Sequence, residues 1–326
     1  MDVSLWIWIA VLGAIAAMLT VDLVAHRAAH VVSVRQAAVW SALWLALGLG
    51  FGLVVWAGWG AERAGEYFAG YLIEKSLAVD NLFVFALIFT AFAVPRAYQH
   101  RVLFLGVLGA LVMRAVFIAA GAALIDAMHW VLYVFGALLV YTGWKMYRTR
   151  GQHTDPRQGR AYRLLARVVP NTTAYHGQRF WVRDAGRLVA TPLLLVLLLV
   201  EISDLIFAID SIPAIFAVTT DPFLVYTSNA FAILGLRALY FLLADLMHRF
   251  VHLTTGLAVI LGFVGVKMLL VDVVHIPIAV SLTVIATVLA VAVLTSLRSS
   301  RHAAAGTHSA VDGHPPATVP VERATS

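Results

Sequence analysis

The 326-residue sequence contains no cysteine, which excludes disulfide chemistry and soft thiolate coordination of a metal. Charge is also scarce. Asp, Glu, Lys and Arg make up 12% of the residues against 62% hydrophobic ones, and the mean hydropathy is +0.89. A soluble domain carries about 25% charged residues, so a water-soluble fold is excluded. There is no HExxH-like run, no nucleotide-binding loop and no serine–histidine pairing at depth, so an enzyme is not expected. The twelve histidines fall at span ends, in loops or in the tail, which argues against a histidine-rich zinc or copper site within a bilayer. The N-terminus lacks the basic region of a cleavable signal, so "LWIWIAVLGAIAAML" reads as a retained span.

What the chain has is long apolar runs. Segments near 5–25, 37–59, 67–93, 101–124, 129–147, 189–218, 223–246, 251–271 and 277–297 each suffice to cross roughly 30 Å of hydrocarbon. The expected fold is an all-α polytopic membrane protein with about nine transmembrane helices. Arginines concentrate after Met146 (Arg148, Arg150, Arg157, Arg160, Arg163, Arg167, Arg179, Arg183, Arg187), and every second connection is basic: Arg27 and Arg35, Arg96 and Arg101, Arg249, Arg298 and Arg301. The connections between them carry almost no Lys or Arg apart from Arg63. This pattern places the N-terminus outside and the C-terminus in the cytoplasm of a plasma (inner) membrane. The net charge of +6 is then a topology signal that needs anionic headgroups and no nucleic acid.

The two halves echo each other. "EKSLAVDNLF" at 74–83 matches "DLIFAIDSIP" at 204–213, "GALVMRAVF" aligns Arg114 with Arg237 in "AILGLRALY", and "YTGWKM" aligns Lys145 with Lys267 in "GFVGVKM". Each unit holds three spans, and an odd number threads the second unit through the bilayer in the opposite sense. Two inverted three-helix repeats follow, a plan of secondary transporters that hold substrate near the midplane. The expected organisation is 1–66 for two N-terminal helices and 67–147 for the first repeat. A basic loop spans 148–187, the second repeat 188–271, a last helix 272–298 and a disordered tail 299–326. That tail contains His302, His308 and His314.

Five acids lie inside these spans: Glu74, Asp80, Glu201, Asp204 and Asp210. At about 2.5–3.5 kcal/mol each they cost on the order of 12–17 kcal/mol before compensation. Ion pairs to Arg114 and Arg237 offset two of them and leave an acidic surplus. A bound cation, protons or water must supply the rest. Glu201 and Asp204 share a helical face, as do Asp204 and Ser211, and Glu74 and Asn81 share the equivalent face of the third span. Asp80 and Asp210 point about 100° away. Pro213 removes a donor from the carbonyl of Ile209, and a bend there would turn Asp210 inward. Lys75, also about 100° from Glu74, pairs elsewhere or snorkels to the outer interface. Carboxylates, an amide, a hydroxyl and carbonyls are hard donors suited to Mg²⁺, Ca²⁺ or Mn²⁺, and they do not choose among the three.

The motifs "EKSLAVDNLFVF" and "EISDLIFAIDSIPAIFA", with "GLRALYFLL" after them, resemble the TerC family, and the layout of residues 1–297 is similar to its Alx-type members. The resemblance implies metal homeostasis, with manganese export foremost and a link to tellurite resistance. It also implies that Glu74, Asp80, Glu201, Asp204 and Asp210 carry the family's acidic motifs, with Asn81, Ser211, Asn229, Arg114 and Arg237 in matching stretches. The resulting expectation is Mn²⁺ efflux by alternating access, with protons as the coupling ion and no resident cofactor. Two alternatives stand beside it: a membrane scaffold for metal resistance or protein metalation, and a carrier of Ca²⁺ or a cationic amino acid.

Overall fold

A computed structural model describes residues 3–25, 33–128, 130–149, 155–169, 172, 174–184, 187–243, 253–274 and 276–311. Arg27, Arg150 and Arg249 of the topology argument lie outside the described residues, as does His314.

Among the described residues the chain is built of helices α1 (Leu5–Ala25), α2 (Val34–Ala91), α3 (Arg96–Ala127), α4 (Val131–Thr149), α5 (Arg160–Val168), α6 (Pro192–Phe216), α7 (Pro222–Ile233), α8 (Leu236–Leu243), α9 (Leu253–Leu269) and α10 (Ile278–Val311). A two-stranded hairpin, β1 (Trp181–Asp184) and β2 (Arg187–Ala190), precedes α6. Six helical segments are long and apolar enough to cross a membrane by length and composition: 5–24, 34–91, 96–127, 192–216, 222–243 and 278–296. The chain is an integral membrane protein in architecture. Apolar side chains such as Leu5, Trp6, Leu53, Val54, Val112 and Val116 are exposed, while Glu74, Arg114, Asp204 and Asn229 are buried. Hydrocarbon around the molecule accounts for that inversion.

Among the described residues the apolar segments of the sequence fall on helices, with 37–59 and 67–93 both on α2 and 223–246 on α7 and α8, and two boundaries differ from expectation. The connection expected at 60–66 is helical except at Gly60 (φ +89°), where α2 breaks into two arms. Only glycine adopts that conformation without strain. The single span expected at 223–246 is interrupted at Leu234 and Gly235 (φ +80°), which separate α7 from α8. A Cβ at Gly235 would lie 2.5 Å from Trp44 of α2, so both backbone angle and space require glycine. Helix starts follow local chemistry. The Asp221 carboxylate accepts from the N–H groups of Phe223 (2.9 Å) and Leu224 (3.3 Å), and Pro222 occupies the first turn.

The packing is paired. α2 lies on α7, α3 on α6, α2 on α6, and α4 on α9. The α4–α9 contact is backbone to backbone. A Cβ on Gly143 would lie 2.8 Å from the Ala258 carbonyl oxygen, and one on Gly265 would lie 2.8 Å from that of Gly136. Small residues let membrane helices approach this closely.

The basic loop contains a short helix, α5, and leads into the β-hairpin. α5 and the segment that leads into the hairpin sit at the α2–α3 turn. The Tyr175 hydroxyl donates to the Phe92 carbonyl (2.7 Å), and the Tyr162 ring meets that of Phe92 edge-on. Arg101 donates to the Gln178 carbonyl (2.8 Å). At the C-terminal end, α10 continues past residue 298 to Val311, into the stretch expected as disordered tail.

Candidate functional site

The second arm of α2 and the middle of α6 cross in the core and bring Glu74 and Asp204 together, with Arg114 reaching in from α3. Glu74 and Arg114 form a buried ion pair, 0% and 1% exposed. The Arg114 Nη1 also donates to Asn229 Oδ1 of α7 at 2.8 Å and contacts Ser211 Oγ at 3.4 Å. Its Nη2 lies 3.7 Å from Asp204 Oδ1. Asn81 Nδ2 donates to that same oxygen at 3.3 Å, and Asn229 Nδ2 donates to Glu74 Oε2 at 3.4 Å. Four helices therefore contribute to one polar centre.

Two of its buried oxygens, Asn81 Oδ1 and Asp204 Oδ2, have no hydrogen-bond partner, and the Arg114 Nε and Nη2 donors are likewise unsatisfied. Leaving such atoms unpaired in a core costs about 1–3 kcal/mol each. An orphaned amide oxygen and an orphaned carboxylate oxygen, close to the Glu74 carboxylate, are hard donors of the kind that hold a divalent cation.

The five acids expected at one site divide. Glu201 sits one turn from Asp204 on α6, and its carboxylate lies against Gly109 of α3, where a Cβ would overlap both carboxylate oxygens. Asp80 accepts from Thr254 Oγ1 of α9 at 3.3 Å. Asp210 accepts from Thr142 Oγ1 of α4 at 2.9 Å. Neither faces Arg114, because the 100° offset along each helix is not undone. α6 runs through the buried Pro213 to Phe216 and does not swing Asp210 toward Asp204. Among the described residues no three of His, Asp and Glu are grouped as metal ligands. Arg237 is also displaced from its expected place: it pairs with Asp22 of α1, whose main-chain oxygen it also contacts at 3.2 Å. Lys75 does not snorkel; its Nζ donates to the Ala232 carbonyl at 3.0 Å.

Asn229, expected only as part of a stretch matching the family and not as a ligand, is a central contact; an amide inside the apolar run "FLVYTSNAFAI" is its signal in the sequence. Glu66 was not among the expected residues. It is buried at the edge of a cavity of ≈ 250 Å³ that is also lined by Arg63, Thr219 and Lys267. Arg63 Nη1 donates to both Glu66 oxygens (3.0 and 2.9 Å), and Thr219 Oγ1 to one of them (2.7 Å). This cavity lies at the end of the same α2–α6 pair that carries Glu74 and Asp204.

Residues 59–304 match the family model described as "Integral membrane protein TerC family". The chain belongs to the TerC family. Among its relatives, "Uncharacterized membrane protein STKORF319" of Myxococcus xanthus is 51% identical over 298 residues, covering 91% of this chain and 93% of that one. Two proteins named "Putative membrane-bound redox modulator Alx" are similarly near. That of Photorhabdus laumondii is 48% identical (92% and 96% covered), and that of Escherichia coli strain K12 is 50% identical (86% and 90% covered). No solved structure matches the chain. The central site and both helix breaks lie inside the TerC-matched region, whereas Asp22, the partner of Arg237, lies before it.

Proposed function

We propose that this TerC protein is a secondary carrier that exports a divalent cation, Mn²⁺ foremost, in exchange for protons. The observation that supports this is the central site: Glu74 and Asp204, from helices that open the two sequence repeats, meet over Arg114 with two buried oxygens unpartnered. Oxygens left without a donor beside Glu74 are ligands of the kind a divalent cation uses.

Nine crossings, N-terminus outside and C-terminus in the cytoplasm of the plasma membrane, complete the reading. Helix pairing supports the inverted repeats. A pseudo-two-fold axis would exchange the α2–α7 and α3–α6 contacts and map α2–α6 and α4–α9 onto themselves. Asp80 and Asp210 fit the same scheme, since each binds a threonine on the third helix of the opposite unit. The relation is incomplete at Arg114 and Arg237, which have different partners.

In the ion-free protein, Arg114 holds Glu74 and Asp204 as a counter-charge. An entering cation replaces the guanidinium as partner of the two carboxylates, with Asn81 and Ser211 supplying further oxygens. Glu201, one turn away against Gly109, is the acid placed to hand the ion over. Moving a divalent cation outward against an inside-negative potential costs about 4.6 kcal/mol per 100 mV, from ~2.3 per charge, so export requires coupling. Two protons taken inward per metal make the exchange electroneutral, and carboxylates released from the metal are their acceptors. Nothing in this cycle requires a resident cofactor, an enzymatic step or nucleic acid. The name of the Alx relatives concerns redox; this chain has no thiol to exchange.

The test is Mn²⁺ efflux from cells or from proteoliposomes holding the purified protein. Asp204→Asn and Glu74→Gln should abolish it with normal membrane insertion. Retained efflux in both would overturn the site. Competition by Ca²⁺, Mg²⁺ or lysine separates manganese from the other cargoes, and absence of all transport would leave the scaffold reading.

A further inference from the structure

Lys75 is the neighbour of Glu74, yet it takes no part in the central site. Its side chain is half-buried, and its Nζ donates across to α7, to the main-chain oxygen of Ala232 (3.0 Å). No carboxylate pairs with it among the described residues.

The place of that carbonyl matters. α7 ends at Ile233, and the non-helical Leu234 and Gly235 follow before α8 begins. The Leu234 N–H returns to the Ala230 carbonyl (2.9 Å), while no following turn of α7 exists to supply donors to the carbonyls after it. A helix C-terminus carries roughly half a negative charge. Here it lies within a fully buried segment, Phe223–Ile233. Hydrocarbon supplies no donor to such an end, and free cations are coordinated at half-helix C-termini in broken membrane helices.

We propose that the Lys75 ammonium is a tethered cation occupying a monovalent-cation site at the C-terminal end of α7. It stands where a protein without this side chain would bind an alkali ion. The adjacent pair Glu74 and Lys75 therefore grips α7 twice: Glu74 through the Asn229 amide, and Lys75 through the Ala232 carbonyl three residues on. The α7–α8 break is held at a fixed distance from the carboxylate centre by one dipeptide of α2. This inference does not depend on what is transported.

The test is thermal unfolding of the purified full-length protein in detergent, at constant ionic strength, with choline, sodium, potassium or ethylammonium chloride. The wild type should give the same Tm in all four. Lys75→Ala should lose stability in choline and regain it in sodium, potassium or ethylammonium, which can enter the space left by the side chain. Lys75→Gln keeps a donor for Ala232 without the charge, and should lose stability as well. A Lys75→Ala protein with no cation dependence would overturn the proposal, as would a Lys75→Gln protein as stable as the wild type. Should Lys75→Ala fail to accumulate, Lys75→Gln decides alone. Transport is not needed for any of these readings.

Discussion

Arg237 of α8 pairs with Asp22 of α1, which ties the N-terminal helix to α8, outside the acidic centre. Its sequence equivalent, Arg114, is instead the counter-charge of Glu74. The two arginines should therefore respond differently to mutation. Arg237→Met is expected to lower stability while leaving Mn²⁺ affinity unchanged, as measured by metal-dependent shifts in Tm. A change in affinity as large as that of an Arg114 variant would contradict the assignment.

Removing Arg114 leaves Glu74 and Asp204 buried without a cation. Breaking a buried pair from one side costs about 3–5 kcal/mol, so Arg114→Met should be strongly destabilised. The double variant Glu74→Gln with Arg114→Met removes one charge of each sign and should recover most of that loss. Equal instability of the single and double variants would argue against the pair as a unit.

Gly143 faces the backbone of α9, where an added Cβ would stand 2.8 Å from the Ala258 oxygen, whereas a Cβ at Gly262 meets nothing within 4 Å. Gly143→Leu should cost about 1–3 kcal/mol or more through forced separation of α4 and α9. Gly262→Ala should stay within about 0.5 kcal/mol of the wild type. Denaturation of the two variants side by side checks this.

Burial raises the pKa of Tyr175 in the basic loop above its ordinary value, the Arg157 charge opposing the shift. A raised folded value means that the contribution of the neutral hydroxyl to stability is complete below about pH 10, the unfolded value, and fades as pH rises through the folded one. The Tyr175–Phe92 contact should therefore loosen only in strong alkali. Proteolysis of the 155–191 segment should rise there in the wild type. In Tyr175→Phe it should already be elevated at neutral pH and vary less.

The absence of native cysteine makes topology directly measurable. Glu62→Cys at the α2 break should react with an impermeant maleimide from outside the cell, and Arg157→Cys in the basic loop only after permeabilisation. The reverse pattern would invert the orientation.

Membrane residence, the positions of the apolar helices and the acidic motifs were all legible in the sequence, because hydrocarbon imposes a length and a composition on whatever crosses it. Glu74 and Asp204 were legible as aligned acids inside apolar runs. The sequence put them with Asp80, Glu201 and Asp210 at one site, however, and only the packing of α2 on α6 singles out these two beside Arg114. The continuity of α2 through residues 61–66 was not legible, since polar residues beside a span end read equally well as loop or helix. Nor was the interruption before α8, where one glycine's backbone angle and the nearness of Trp44 outweigh an unbroken apolar run. The fates of Asp80, Asp210, Lys75 and Arg237 were decided only in three dimensions. Each finds its hydrogen-bonding partner on another helix, and which threonine, carbonyl or carboxylate lies within reach depends on how the helices pack.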